Sequence, residues 1–163
     1  MRKLVMVFVI LWCLPVFAGD NPSTAVEVVL DSFHDAASRA DGDLYFSLFA
    51  EGAIFMGTDA TERWTIAEFK AFAEPYFSKG RGWTYTMTER NVYLASSGKT
   101  AWFDESLWNE KYGTCRGTGV LVLRDGDWRI AQYNLTFPIP NDLSAEVTAR
   151  IKELEEQSAE PSK

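Results

Sequence analysis

Residues 100–137 read TAWFDESLWNEKYGTCRGTGVLVLRDGDWRIAQYNLTF, and no other stretch limits the possible folds as much. The pattern predicts three long antiparallel strands joined by two turns. Asp125-Gly126 accepts positive φ at both central positions and so closes a two-residue hairpin of the primed type. That turn sets Arg124 opposite Asp127, Leu123 opposite Trp128 and Leu121 opposite Ile130. Continued without interruption, the register sets Gly119 opposite Gln132 and Gly117 opposite Asn134. Side chains alternate along a strand, so these pairs share one face. Near the turn that face is apolar; at its far end two glycines oppose two amides. Either the core thins there, with the glycines permitting a bulge or bend, or the glycines leave a hollow into which Gln132 and Asn134 point.

The third strand spans Thr100 to Trp108. A loop over 110–113 sets Trp108 opposite Cys115 and Asp104 opposite Gly119. Trp102, Asp104, Ser106 and Trp108 then join the hollow. Phe103, Glu105 and Leu107 turn to the other face, with Arg116, Thr118, Tyr133, Val120, Val122 and Leu135. A slip of one residue would move every side chain across the sheet and exchange Asp104 for Glu105.

Residues 1–18 read as a secretory leader: Arg2 and Lys3, an apolar run from Leu4 to Leu14, then Val16-Phe17-Ala18 as a small-residue cleavage pattern. Its removal takes 163 residues and a net charge of −7 to 145 residues and −9, because both leader charges are positive. The expected location is periplasmic or secreted, with no membrane contact after cleavage. An acidic domain of this kind is unsuited to nucleic acid or an anionic membrane. Cys115 is then the only cysteine, so no internal disulfide forms and the domain rests on its core. The full chain has eleven Phe, six Trp and six Tyr, and those outside the leader supply that core.

Thr24 and Glu27 fit a capping box opening a helix that carries Val26, Leu30, Phe33, His34 and Ala37 and ends at Gly42. A short helix with Leu44, Tyr45, Leu48 and Phe49 runs to Gly52, and residues 53–57 read as a brief strand. Residues 58–64 (TDATERW) form a polar loop, and Thr65 and Glu68 make a second capping box. The helix it opens buries Ile66, Phe69, Phe72 and Ala73 and is ended or kinked by Pro75. Residues 83–95 alternate as a half-exposed strand. Pro138 and Pro140 stop the last strand, and a weak helix spans Ser144–Gln157. The predicted divisions are a leader over 1–18, a domain over 19–142 and a helical tail over 143–163. Helices, a short strand, a helix and four long strands make an α+β fold, with the helices on one face of a curved antiparallel sheet.

This order resembles the SnoaL-like branch of the nuclear transport factor 2-like superfamily. The similarity is carried by Phe33-His34-Asp35-Ala36-Ala37, GTDATERW at 57–64, AWFDE at 101–105, RGTGVL at 116–121 and WRIAQYNL at 128–135. It covers about residues 24–142. The resemblance implies a cone, the roll also called cystatin-like, in which a bent sheet wraps around a long helix and a cavity opens at the wide end. Homodimers are frequent in such proteins, whose functions range over isomerases, dehydratases, hydrolases, cyclases and binding or scaffold proteins, so the fold alone does not fix the function. Many relatives carry histidine where this chain has Asn134, a departure that removes one possible base.

The candidate ligand-binding residues are His34, Trp64, Trp102, Asp104, Trp108, Gln132 and Asn134. Asp104, between two tryptophans in a partly dry hollow, would have a raised pKa. It would be a general base, with Gln132, Asn134 or His34 as hydrogen-bond donors to an oxyanion, or else part of a polar core network. His34 is a satisfied structural histidine or a ligand contact. Trp64 anchors its loop, contacts a ligand, or does both. Cys115 reads as a small buried hydrophobe. One histidine and scattered carboxylates give no metal-ligand spacing, and no cofactor is expected. The function expected is binding of a small, largely apolar ligand in an aromatic-lined pocket of a homodimer. The alternatives are a cofactor-independent isomerase, dehydratase or hydrolase and a non-catalytic interaction module.

Overall fold

The computed structural model describes residues 22–159, and the predicted leader lies outside them. Helix α1 (Pro22–Ser38) buries Val26, Leu30, Phe33 and Ala37 along one stripe, at steps of four, three and four residues. It is already helical at Pro22, so Thr24 lies inside its first turn and does not cap it. Nor does Gly42 end it. Ala40 takes a positive φ of 55° after the helix, and Asp41 then caps α2 (Gly42–Ser47) by accepting a 3.1 Å hydrogen bond from the Leu44 amide. The chain leaves α2 for β1 (Phe49–Met56) and β2 (Arg63–Thr65). Helix α3 (Ile66–Phe77) opens on the expected Thr65–Glu68 capping box, and Pro75 sits inside its last turn without ending it. Strands β3 (Thr86–Leu94), β4 (Thr100–Asn109), β5 (Gly113–Arg124) and β6 (Asp127–Thr136) follow, then α4 (Ser144–Ala159).

The six strands form one curved, unclosed sheet in the order β2-β1-β6-β5-β4-β3. All neighbours are antiparallel except β1 and β6, which run parallel and draw the α2–β1 region against the last strand. The α+β class and the bent sheet around the N-terminal helices are as expected. α1, α2 and α3 pack on the concave side, where the buried residues form one cluster.

Two one-residue shifts change which side chains reach that side. The β4–β5 loop contains only residues 110–112. Gly113, at φ 72°, already pairs with Asn109. A three-residue loop closed by a left-handed glycine is a common hairpin geometry. It pairs Asp104 with Thr118 and Glu105 with Gly117. In the next hairpin the Asp125-Gly126 turn holds the expected register as far as Leu121 and Ile130, with both turn residues at positive φ. Beyond it the ladder shifts: Val120 pairs with Gln132, leaving Ala131 as an extra residue in β6. Such a bulge reverses the facing of everything after it. Tyr133 and Leu135 turn inward, and Gln132 and Asn134 turn outward.

Candidate functional site

One stripe of α1 carries Glu27, Asp31 and His34, spaced four and three residues apart so that they stack along the helix. Opposite them, Arg90 on β3 and Glu105 on β4 are direct cross-strand partners. Glu105 is 2% exposed, and the side chain of its partner Arg90 is buried with it. Three donors hold it. Nε2 of His34 lies 2.8 Å from Oε1, the Tyr133 hydroxyl donates to the same oxygen at 2.9 Å, and Nε of Arg90 donates to Oε2 at 2.8 Å. Nη1 of Arg90 continues to the Asp31 carboxylate at 2.7 Å and the Glu27 carbonyl at 3.3 Å. Nη2 of Arg90 is buried and has no hydrogen-bond partner.

Burial alone would push the Glu105 carboxyl up; the His34 and Arg90 charges and hydrogen bonds outweigh it and hold the group below its ordinary value. Burial and the adjacent Glu105 charge push the Tyr133 hydroxyl well above the ordinary tyrosine range. A carboxylate with its lone pairs engaged and no solvent access is a poor base. What it does is orient His34. An ionised carboxylate only accepts, so Nε2 carries a proton, and in the neutral ring Nδ1 is an acceptor. No hydrogen bond to protein engages Nδ1 among the described residues.

The two glycines are therefore not the walls of an empty hollow. A Cβ at Gly117 would run into the Tyr133 hydroxyl and, at 2.7 Å, Oε1 of Glu105; one at Gly119 would run into the Phe103 ring at 2.8 Å. They make room for the side chains that fill the space.

The open part of the cone lies nearer its mouth. A cleft of about 230 Å³ is bounded by Phe55, Trp64, Phe69, Phe72, Trp83 and Tyr85, among others. Four of its rings and the deeper Tyr133 make a nearly parallel stack. Phe55 lies 5.7 Å from Tyr133 and 3.8 Å from Phe69; Trp64 lies 5.5 Å from Phe69 and 4.9 Å from Phe72. Beneath the cleft, and sharing Phe55, Trp83, Tyr85 and Leu135 with it, is a chamber of about 20 Å³ reached by His34, Tyr45 and Tyr133. The Tyr45 hydroxyl is buried there without a hydrogen-bond partner. Burial pushes it well above the ordinary tyrosine range; Trp83 acts in the opposite sense but lies outside good hydrogen-bonding geometry. An unpaired buried hydroxyl costs about 1–3 kcal/mol.

Of the residues expected at the site, the structure brings only His34 and Trp64 to the concave side. Trp102, Asp104, Gln132 and Asn134 lie on the convex face. Trp102 stacks on Tyr93 at 5.7 Å, and Asp104 accepts from Nδ2 of Asn91 at 3.2 Å. Trp108 is exposed beside Gly113. Asp104 is thus corrected as the inward carboxylate: the shorter loop exchanges it for Glu105. The convex face was expected to carry Glu105, Tyr133 and Leu135, and all three are buried inside instead. A signal for the second shift is present in the sequence, since apolar alternation runs Trp128, Ile130, then skips to Tyr133, Leu135. Arg90 and Tyr45 went unnoticed as site residues. Among the described residues no group of three or more His, Cys, Asp or Glu side chains is placed to hold a metal, and no helix is long and apolar enough to cross a membrane.

The family profile for the SnoaL-like domain matches residues 26–140, and the chain belongs to that family. No curated protein matches it. Among solved structures, an NTF2-like protein of unknown function from Pseudomonas putida KT2440 is 13% identical, with a TM-score of 0.60 over 76% of this chain and 93% of that one. A cystatin-like-fold protein of unknown function from Nostoc punctiforme is 11% identical, with a TM-score of 0.58 over 71% and 90%. A candidate dehydratase of the NTF2-like family from Streptomyces avermitilis is 12% identical, with a TM-score of 0.60 over 74% and 100%. At these identities the likeness is one of fold.

Proposed function

We propose that this is an exported homodimeric protein that binds a small, largely apolar aromatic ligand at the mouth of its cone and does so without chemistry. The observation that carries the reading is the aromatic cleft of about 230 Å³, with the buried Glu105 carboxylate held by three donors away from it. The cleft is smaller than the roughly 300–1,000 Å³ of drug-sized sites, which favours a ligand of about one ring. Stacked aromatic walls supply apolar area and favourable ring geometry together. The larger groove on the convex face, about 360 Å³ around Glu89, Asn91, Asp104, Ser106 and Arg116, is polar and lacks such walls.

Native mass spectrometry on protein purified gently from the host's export compartment tests the three parts together. The expected species is a dimer of chains lacking residues 1–18 and carrying a small organic mass. A chain that retains its leader sinks the export reading, and protein that never carries added mass counts against the ligand.

The convex face supports the dimer. The Trp102–Tyr93 stack and the neighbouring Val120 make an apolar patch in a polar surface. Trp102→Arg should weaken self-association by at least about tenfold, the equivalent of about 1.4 kcal/mol, as read by sedimentation velocity over a dilution series. An unchanged dimer would remove this face from the reading.

A further inference from the structure

The chamber below the cleft has the size and chemistry of a site for a single polar atom. Its volume of about 20 Å³ admits one water-sized group and no more. Two residues with unused hydrogen-bonding capacity line it. One is Tyr45, whose hydroxyl is buried and unpartnered. The other is His34, whose Nε2 is fixed on Glu105 and whose Nδ1 has no protein partner among the described residues. Of the other polar residues around it, Tyr133 has its hydroxyl committed to Glu105, and Trp83 and Tyr85 are shared with the cleft above. His34, as a neutral ring, and Tyr45 thus offer one hydrogen-bond acceptor and one donor next to a cleft lined by rings.

We propose that the cleft takes an aromatic alcohol of the phenol class, with its ring between the aromatic walls and its hydroxyl in the chamber, donating to Nδ1 of His34 and accepting from Tyr45. This rests on the ligand-binding reading above and names the ligand's chemistry. A hydroxyl fits because a single oxygen both donates and accepts. A carboxylate does not: it needs room for two oxygens, cannot donate to Nδ1, and would enter beside the Glu105 charge. A hydrocarbon fills the cleft and leaves both polar groups unpaired.

The test is calorimetric titration of the purified protein with phenol, toluene and benzoate, repeated on Tyr45→Phe. That variant removes one buried oxygen and leaves the Glu105 cluster intact, so it retains the fold. Phenol should bind at least about tenfold more tightly than toluene, benzoate should bind weakest, and Tyr45→Phe should narrow the phenol–toluene gap severalfold. Equal binding of phenol and toluene overturns the inference, leaving a chamber that holds water only, while the aromatic cleft stands. A phenol preference untouched by Tyr45→Phe also overturns it, because the hydroxyl is then held elsewhere. Failure of all three probes to bind overturns the inference together with the ligand-binding reading.

Discussion

Arg90→Met should destabilise the fold by about 3–5 kcal/mol at neutral pH, the range for removing one partner of a buried ion pair. The side chain of Glu105 is 0% exposed and that of Arg90 4%, so solvent cannot take over the role of the guanidinium. Methionine fills much of the arginine stem's volume, which confines the loss to the charge and its hydrogen bonds. Those bonds also tie β3 to α1 through Asp31 and the Glu27 carbonyl. The cost should depend on pH in a definite direction. In the native protein the Glu105 carboxyl lies below its ordinary value, so its contribution is complete above the unfolded carboxyl's pKa and is lost as pH falls through the lower folded one. Without Arg90, burial gains weight and the folded pKa moves up. Protonation then relieves the stranded charge at a pH where the native protein still benefits from ionisation. This shrinks the difference between variant and native protein in acid. Urea unfolding at pH 7 and pH 4 should show the larger deficit at pH 7, and adding Glu105→Gln to Arg90→Met should recover part of it. A loss below about 1 kcal/mol, or one equal at both pH values, would show that the pair does not hold the fold in the way described.

This ion pair illustrates what the sequence could not disclose. Arg90 meets Glu105 across 15 residues and Asp31 across 59, and nothing in the local pattern of β3 distinguishes it from its exposed neighbours. What was legible had local causes. The Asp125-Gly126 turn, the Thr65–Glu68 box and the α1 stripe each follow from a few adjacent residues. His34, the only histidine, stood out because it lies beside that stripe. Between these fixed points two single-residue choices decided which side chains face inward. Apolar character misled the first: Trp102 and Trp108 flank Asp104, and their size argued for burial, yet they are 46% and 54% exposed. Their partners in alternation, Ala101, Phe103 and Leu107, fill the core with Glu105 among them. The second choice, the bulge at Ala131, was visible only as a break in alternation between Ile130 and Tyr133, and the glycines opposite offered an equally physical account of empty space.

Gly119 is where that second choice is enforced, and Gly119→Ala should cost about 3 kcal/mol or more, at or above the upper end for an added methyl in a packed core. The glycine has no unusual φ, so alanine suits its backbone and even gains slightly by restricting the unfolded chain. The penalty comes from contact alone. The new Cβ would overlap the carbonyl oxygen of Gln132 and lie 2.8 and 3.0 Å from two atoms of the Phe103 ring. Phe103 is buried and has little room to retreat. The Gln132 carbonyl belongs to the backbone immediately after the bulge, so moving it disturbs the β5–β6 ladder. Removing the bulge would free the carbonyl, but it would turn Tyr133 out of the core and Gln132 into it, costing Glu105 one of its three donors. Gly98→Ala provides the contrast. That glycine sits at φ 66° with nothing within 4 Å of a would-be Cβ, so alanine there pays only the left-handed backbone penalty of about 1 kcal/mol. Thermal and urea unfolding of the two variants should rank Gly119→Ala well below Gly98→Ala. The opposite ranking would mean that the bulge yields easily and that the inward set of Tyr133, Glu105 and His34 is held by the hydrogen bonds among its own members, without the backbone register that Gly119 makes possible.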